Sequence, residues 1–104
     1  MRGLPASWYL DPDRAPLEDS AIFAPSWQFV CHASDLPAPG TAVRFDCGGR
    51  SAVVLRTKAG NLQGFRNVCR HRGARLVEGD VHTGLSFCID GRLRCPYHGW
   101  TYDE

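Results

Sequence analysis

Two short motifs constrain this chain more than anything else in it: Cys69-Arg70-His71-Arg72-Gly73 and Cys95-Pro96-Tyr97-His98-Gly99-Trp100. Each offers one thiolate and one imidazole, as Cys-x-His and Cys-x-x-His. A thiolate and an imidazole so close in sequence can both point from one tight loop tip, so the fold must present two such loops. Gly73 and Gly99, just past the histidines, permit backbone turns that a residue with a Cβ resists. Pro96 fixes the backbone between the second pair of ligands.

Two thiolates and two imidazoles make up the donor set of a Rieske-type [2Fe–2S] centre, where Cys holds one iron and His the other. Replacing two anionic thiolates by neutral imidazoles makes such a cluster less negative and easier to reduce. Centres of this kind span roughly −150 to +300 mV, against about −400 mV for all-Cys plant-type clusters. Reduction falls on the His-bound iron, and histidines at loop tips face outward, where they can pass the electron on. A structural zinc site is the competing reading of a Cys₂His₂ set. It is disfavoured because zinc motifs pair Cys with Cys and His with His at wider spacing.

The remaining cysteines and histidines read as structural. No His follows Cys88 at ligand spacing, so it is assigned to core packing, and Cys31 and Cys47 are expected to be small buried strand residues. His32 is expected at a strand end and His82 in a loop. Five cysteines are an odd number, which fits poorly with a disulfide framework.

At 104 residues the chain makes one small domain at most, with limited surface to bury. A hydrophobic content of 43% argues against disorder, and a net charge of +1 argues for neither nucleic acid nor membrane as a partner. Charge is local instead. Arg66, Arg70, Arg72, Arg75, Arg92 and Arg94 face only Glu78, Asp80 and Asp90 in the same region, so the ligand segment is basic. These arginines form either a solvated face or a docking surface. No stretch has the length of a transmembrane helix, and the N-terminus lacks the apolar run of a signal peptide. The expected address is the cytoplasm, where thiols stay reduced and a Cys/His set binds metal.

Residues 1–26 read as an arm rich in Pro and acidic side chains, anchored by Trp8 and Tyr9. A short helix is expected over Leu17–Phe23, with Ile22 and Phe23 on its buried side. From Trp27 the pattern turns to β: strands over 27–31, 41–46, 51–57 and 62–68, with turns at Cys47-Gly48-Gly49 and Ala59-Gly60-Asn61. Val53, Val54 and Leu55 form the most buried-looking run. Asp90-Gly91 suits a two-residue turn between 87–89 and 92–94, a hairpin that delivers the second ligand loop. The expected fold is all-β, a small antiparallel domain with its metal at two loop tips and a short helical arm. Trp100 either shields that metal or fills the core.

The stretch Phe65 to Leu76, "FRNVCRHRGARL", together with Cys95 to Tyr102, "CPYHGWTY", resembles the α subunits of Rieske non-haem iron ring-hydroxylating oxygenases. Trp27-Gln28-Phe29-Val30, Pro39-Gly40-Thr41 and the arm Leu4 to Tyr9 are similar to that family too. The resemblance implies that Cys69 and Cys95 bind one iron of a [2Fe–2S] cluster and His71 and His98 the other. Respiratory Rieske proteins carry an extra disulfide-forming Cys in each loop, where this chain has Ala74 and Tyr97. Twenty-three residues lie between His71 and Cys95, longer than the family's usual spacing, and the extra length around 81–89 is expected to extend the connecting hairpin.

By the same resemblance, residues 27–104 are a Rieske domain incomplete at its C-terminus. The catalytic domain, whose mononuclear Fe(II) site would carry the O₂ chemistry, is absent. The implied role is electron transfer in an aromatic ring-hydroxylating or quaternary-amine dioxygenase or monooxygenase. Electrons would come from a reductase or ferredoxin and pass to a mononuclear iron outside this chain, commonly in a neighbouring α subunit of a homo-oligomer, possibly a trimer. The alternative is a free-standing Rieske-type ferredoxin. The basic loop residues Arg70, Arg72 and Arg75 would suit an acidic electron donor or a carboxylate at the subunit junction.

Overall fold

A computed structural model of the chain describes residues 3–79, 81–82, 88–89 and 92–103. They form two units, Met1–Phe29 with Cys47–Arg50, and Val30–Asp46 with Ser51–Glu104. None of the described helices is long and apolar enough to cross a membrane.

The first unit is built from short helical pieces: α1 (Ala6–Leu10), α2 (Arg14–Glu18) and a π-helical turn over Asp19–Phe23. Its order comes from side-chain contacts rather than burial. The Arg14 guanidinium sits 3.7 Å from the centre of the Trp8 ring, and Asp19 pairs with Arg50 at 3.1 Å. The segment expected to be helical over Leu17–Phe23 is helical, but it buries nothing: Ile22 and Phe23 stay about half exposed. Five-residue helices are too short to present a continuous apolar stripe.

The second unit is antiparallel β, as expected from the sequence. One sheet runs in the order β3-β2-β1-β4, with β1 at Ala42–Cys47, β2 at Arg50–Arg56, β3 at Leu62–Arg66 and β4 at Val81–His82. Gly48 and Gly49, both at positive φ, turn β1 into β2. The other sheet is β5-β6-β7, comprising Cys88–Ile89, Arg92–Arg94 and Thr101–Tyr102. Its Ile89↔Arg92 register leaves two positions for the expected Asp-Gly turn, which lies outside the described residues.

Alternation along β2 sends Val53 and Leu55 into the core, while Val54, expected to join them in one buried run, is only part-buried. They pack with Ala42, Leu76, Val77 and Leu93, so both sheets contribute to one core. Cys69 and Cys95 belong to that core as well.

Further sequence expectations need correction. Residues 27–31 form no strand: the segment has no ladder partner among the described residues, and Trp27 is fully exposed. Strand-like composition is no substitute for a neighbour to hydrogen-bond. His32 instead caps the 3₁₀ turn Ala33–Asp35, its Nδ1 accepting from the Ser34 N–H while its own N–H donates to Asp35 Oδ2 at 3.0 Å. His82 lies in β4, opposite Ala42, rather than in a loop. The expected hairpin extension around 81–89 falls partly outside the described residues; its described ends, β4 and β5, belong to different sheets.

Candidate metal centre

β3 leads into the first ligand loop, Cys69–Ala74, and the β6–β7 hairpin closes on the second, Cys95–Trp100. The loops share one closure. In the first, the Cys69 N–H donates to the Ala74 carbonyl at 2.7 Å and the Gly73 N–H donates to the Cys69 carbonyl at 2.9 Å. In the second, the Cys95 N–H donates to the Trp100 carbonyl at 2.7 Å and the Gly99 N–H to the Cys95 carbonyl at 3.0 Å. The fifth position of each loop is a glycine at positive φ, +73° at Gly73 and +78° at Gly99. This matches the expectation that glycine permits the turn.

That closure fixes where the side chains go. Cysteine opens each loop and points into the core, with Cys69 and Cys95 each 2% exposed. Histidine sits near each crest and is exposed. The loops therefore sort four donors into two pairs. The Cys69 and Cys95 thiols share the core, near enough to interact, and the rings of His71 and His98 meet edge to face with centroids 4.7 Å apart. Among the described residues, no three of His, Cys, Asp and Glu converge so as to hold a single metal ion.

The environment of Cys69 favours its thiolate. Its thiol is held below its ordinary range, chiefly by the Tyr102 hydroxyl 3.0 Å from Sγ. Burial opposes this, while the backbone N–H groups of His71 and Arg72 and the Cys95 thiol assist. Arg70 N–H donates to Tyr102 Oη at 2.9 Å, which turns the phenolic hydrogen toward the sulfur. The hydrogen bond to Cys69 Sγ pushes the Tyr102 hydroxyl above its ordinary range, because ionisation would remove the donor and place two negative charges together; burial adds to this, and the Arg70 N–H opposes it.

Two positions escaped the sequence reading. Tyr102 was visible only as part of a motif; its role needs the β6–β7 pairing that sets it opposite Leu93. Asn67 is 3% exposed and ties the exit of the first loop to its entry. Its Nδ2 donates to the Val77 carbonyl at 2.8 Å, and its Oδ1 accepts from the Leu76 and Val77 N–H groups at 2.9 and 2.8 Å. A polar amide just before the first ligand cysteine was the available signal.

Trp100 stacks on His71, centroids 4.7 Å apart and planes within 9°, and stays half exposed. It covers the His71 ring rather than filling the core. The Tyr97 ring lies tilted against His98 at 3.8 Å. Arg70 and Arg72 are exposed, whereas Arg75 shares Asp46 with Arg44. Cys31 and Cys47 are part-buried; the Cys88 side chain lies outside the described residues.

Comparison with known proteins gives a consistent picture. A family profile for the Rieske [2Fe-2S] domain matches residues 26–104. The oxygenase subunit of a glycine betaine monooxygenase from Chromohalobacter salexigens is 38% identical over 103 residues, 96% of this chain and 21% of that subunit. The crystal structure of naphthalene 1,2-dioxygenase from Rhodococcus sp. superposes with a TM-score of 0.79 at 33% identity, covering 97% of this chain and 22% of that one. A quaternary ammonium Rieske monooxygenase, described in terms of carnitine oxidation and inter-subunit electron transfer, superposes at 0.78 with 33% identity, over 95% and 26%. The chain thus spans about a fifth of the length of the curated relative it matches.

Proposed function

Since this chain belongs to the Rieske [2Fe–2S] domain family, we propose that residues 27–104 are the electron-transfer domain of an oxygenase α subunit, preceded by an arm over 1–26. Cys69 and Cys95 would hold one iron of the cluster and His71 and His98 the other. The observation that carries this reading is the sorting of four donors into a buried thiol pair and an exposed imidazole pair. A single tetrahedral ion wants all four donors around one point; a two-iron cluster with different ligands on each iron wants two pairs.

When bound, the cluster supplies one-electron redox chemistry. The protein does the rest. Cys69 and Cys95 would hold one iron from within the apolar core, and the Tyr102 hydroxyl and two backbone N–H groups are placed to meet the negative charge on Cys69 Sγ. His71 and His98, both exposed, would hold the other iron on the side open to a partner. Trp100 and Tyr97 hold the two rings in place against the loop crests.

In the whole protein, electrons would enter from a reductase or ferredoxin and leave for a mononuclear iron outside this chain, in the same or a neighbouring α subunit. The reaction served would be hydroxylation of an aromatic ring or oxidation of a quaternary amine. The similar oxygenase subunits and the description of inter-subunit electron transfer for one of them support this.

The test is anaerobic reconstitution of the chain with iron and sulfide, followed by absorption and EPR spectroscopy. A red-brown protein whose dithionite-reduced form gives the low-average-g signal of a mixed Cys/His cluster is expected. Cys69→Ser and His98→Ala should each abolish that signal. A colourless protein holding stoichiometric zinc would overturn the assignment.

A further inference from the structure

The two Cys/His loops share a backbone closure, but the second carries a cation against its backbone. Arg94 directly precedes Cys95 at the end of β6, where it pairs with Thr101 of β7. Alternation buries Leu93 and leaves Arg94 exposed on the other face of the strand. From there the guanidinium reaches the loop. A Cβ at Gly99 would stand 3.2 Å from Nη2, 3.3 Å from Nε and 3.7 Å from Cζ of Arg94. The cation therefore rests where a side chain at position 99 would begin. At Gly73, the matching position of the first loop, a Cβ would meet nothing within 4 Å.

That charge has no counterion. Among the described residues Arg94 makes no ion pair, whereas Arg92, two positions earlier, is paired with Asp103 at 2.8 Å. Nor does Arg94 hydrogen-bond to the loop among those residues, so it does not tie the loop down as Asn67 ties the first. Its position brackets the second pair of donors: it is the chain neighbour of Cys95 and touches the neighbour of His98. Adjacent Cα atoms are about 3.8 Å apart, which puts the guanidinium within roughly 9 Å of the His98 Cα. Over such a distance salt at about 0.1 M screens a charge only in part.

We infer that Arg94 sets the reduction potential of the centre, holding it higher than the donor set alone would. This rests on the proposed function, and it adds which residue fixes the driving force of the transfer. One electron leaves the donor, which is oxidised, and enters the centre, which is reduced and becomes more negative by one charge. The guanidinium keeps its proton throughout, and no bond forms or breaks. A fixed cation attracts the more negative product more strongly than the oxidised form, so it favours reduction. Gly99 then serves two ends. Its positive φ lets the loop turn, and its missing side chain lets the cation approach.

The test is a redox titration of the reconstituted chain at low and high salt, with the reduced cluster read by EPR. Arg94→Gln and Arg94→Met should each lower the reduced-to-oxidised ratio at a fixed ambient potential. The expected fall at low salt is about three- to tenfold, tenfold being about 59 mV for one electron. Arg94→Lys keeps the charge and should restore most of the parent ratio. Arg92→Gln makes the same charge change farther along β6, in a residue already paired, and should move the ratio far less. The gap between the parent and the neutral variants should narrow in high salt.

An unchanged ratio in both neutral variants overturns the inference. So does an equal fall in Arg92→Gln, which would mean that bulk charge sets the potential, or an equal fall in Arg94→Lys, which would mean that charge is not the cause. Failure of both neutral variants to take up the cluster would make Arg94 a prop of the loop and overturn it as well. A parent chain without the low-average-g signal sinks the proposed function and this inference together. A parent with that signal and a potential indifferent to Arg94 sinks the inference alone.

Discussion

The Tyr102 hydroxyl stands 3.0 Å from Cys69 Sγ while accepting the Arg70 N–H at 2.9 Å, so one phenol bridges the thiol of the proposed ligand Cys69 and the backbone of its loop. A donor hydrogen bond to a ligating sulfur favours the more negative, reduced state of a cluster. Tyr102→Phe should therefore lower the reduction potential of the reconstituted chain, by on the order of tens of millivolts. Redox titration followed by EPR measures it. If Tyr102 only props up the loop, the variant will lose its cluster faster and keep the parent potential.

Asn67 makes a different kind of prediction, about stability. Its side chain satisfies the Leu76 and Val77 N–H groups and the Val77 carbonyl, and Nδ2 also reaches Ser51 Oγ at 3.1 Å. Asn67→Ala leaves three backbone groups without partners in a buried place, at about 1–3 kcal/mol for each such group. The expected loss is roughly 3 kcal/mol or more in urea unfolding. Asn67→Asp keeps the acceptor and turns a second oxygen on the Val77 carbonyl, so it should also destabilise, with no rescue of the missing donor.

The contrast between these two residues and the four proposed ligands shows what the sequence made legible. Cys69 and His71, like Cys95 and His98, are local pairs, and the chemistry of each pair is complete within one loop. The glycine turns are local as well. Tyr102 acts on a sulfur 33 positions away, and Asn67 on a carbonyl 10 positions away. Neither role exists until strands pair and loops return. Composition misled at residues 27–31 for the same reason in reverse. Trp, Phe and Val suit a pleated surface, yet a strand is defined by its neighbour, and none of the described strands pairs there.

Cys31 offers a pH-dependent test apart from the metal centre. Burial pushes its thiol above the ordinary range, and the Asp35 carboxylate pushes it further. A thiol whose value is raised on folding stabilises the fold below the unfolded thiol value of about 8.5, and that contribution is lost as pH rises through the folded value. Its thiolate should accordingly be scarce at pH 8. Iodoacetamide should modify Cys31 more slowly than free cysteine, as mass spectrometry of the native chain would record. Asp35→Asn removes only the second cause and keeps an acceptor for the His32 N–H, so it should speed the reaction modestly. A Cys31 that reacts as fast as free cysteine would contradict the assignment.

Gly73 and Gly99 share a backbone conformation but not a neighbourhood. A Cβ at Gly73 would meet nothing within 4 Å, whereas one at Gly99 would lie 3.2 Å from Arg94 Nη2 and 3.3 Å from its Nε. Gly73→Ala should thus cost only the left-handed strain, about 1–2 kcal/mol. Gly99→Ala should cost that and a further increment for displacing the guanidinium, a modest one because the end of an arginine can move. A double-mutant cycle separates the two terms. Arg94→Ala in the Gly99→Ala background should recover the increment and leave the strain, and in the Gly73→Ala background it should recover nothing. Equal costs for the two glycine variants, with no coupling to Arg94, would show that the guanidinium does not rest against the second ligand loop.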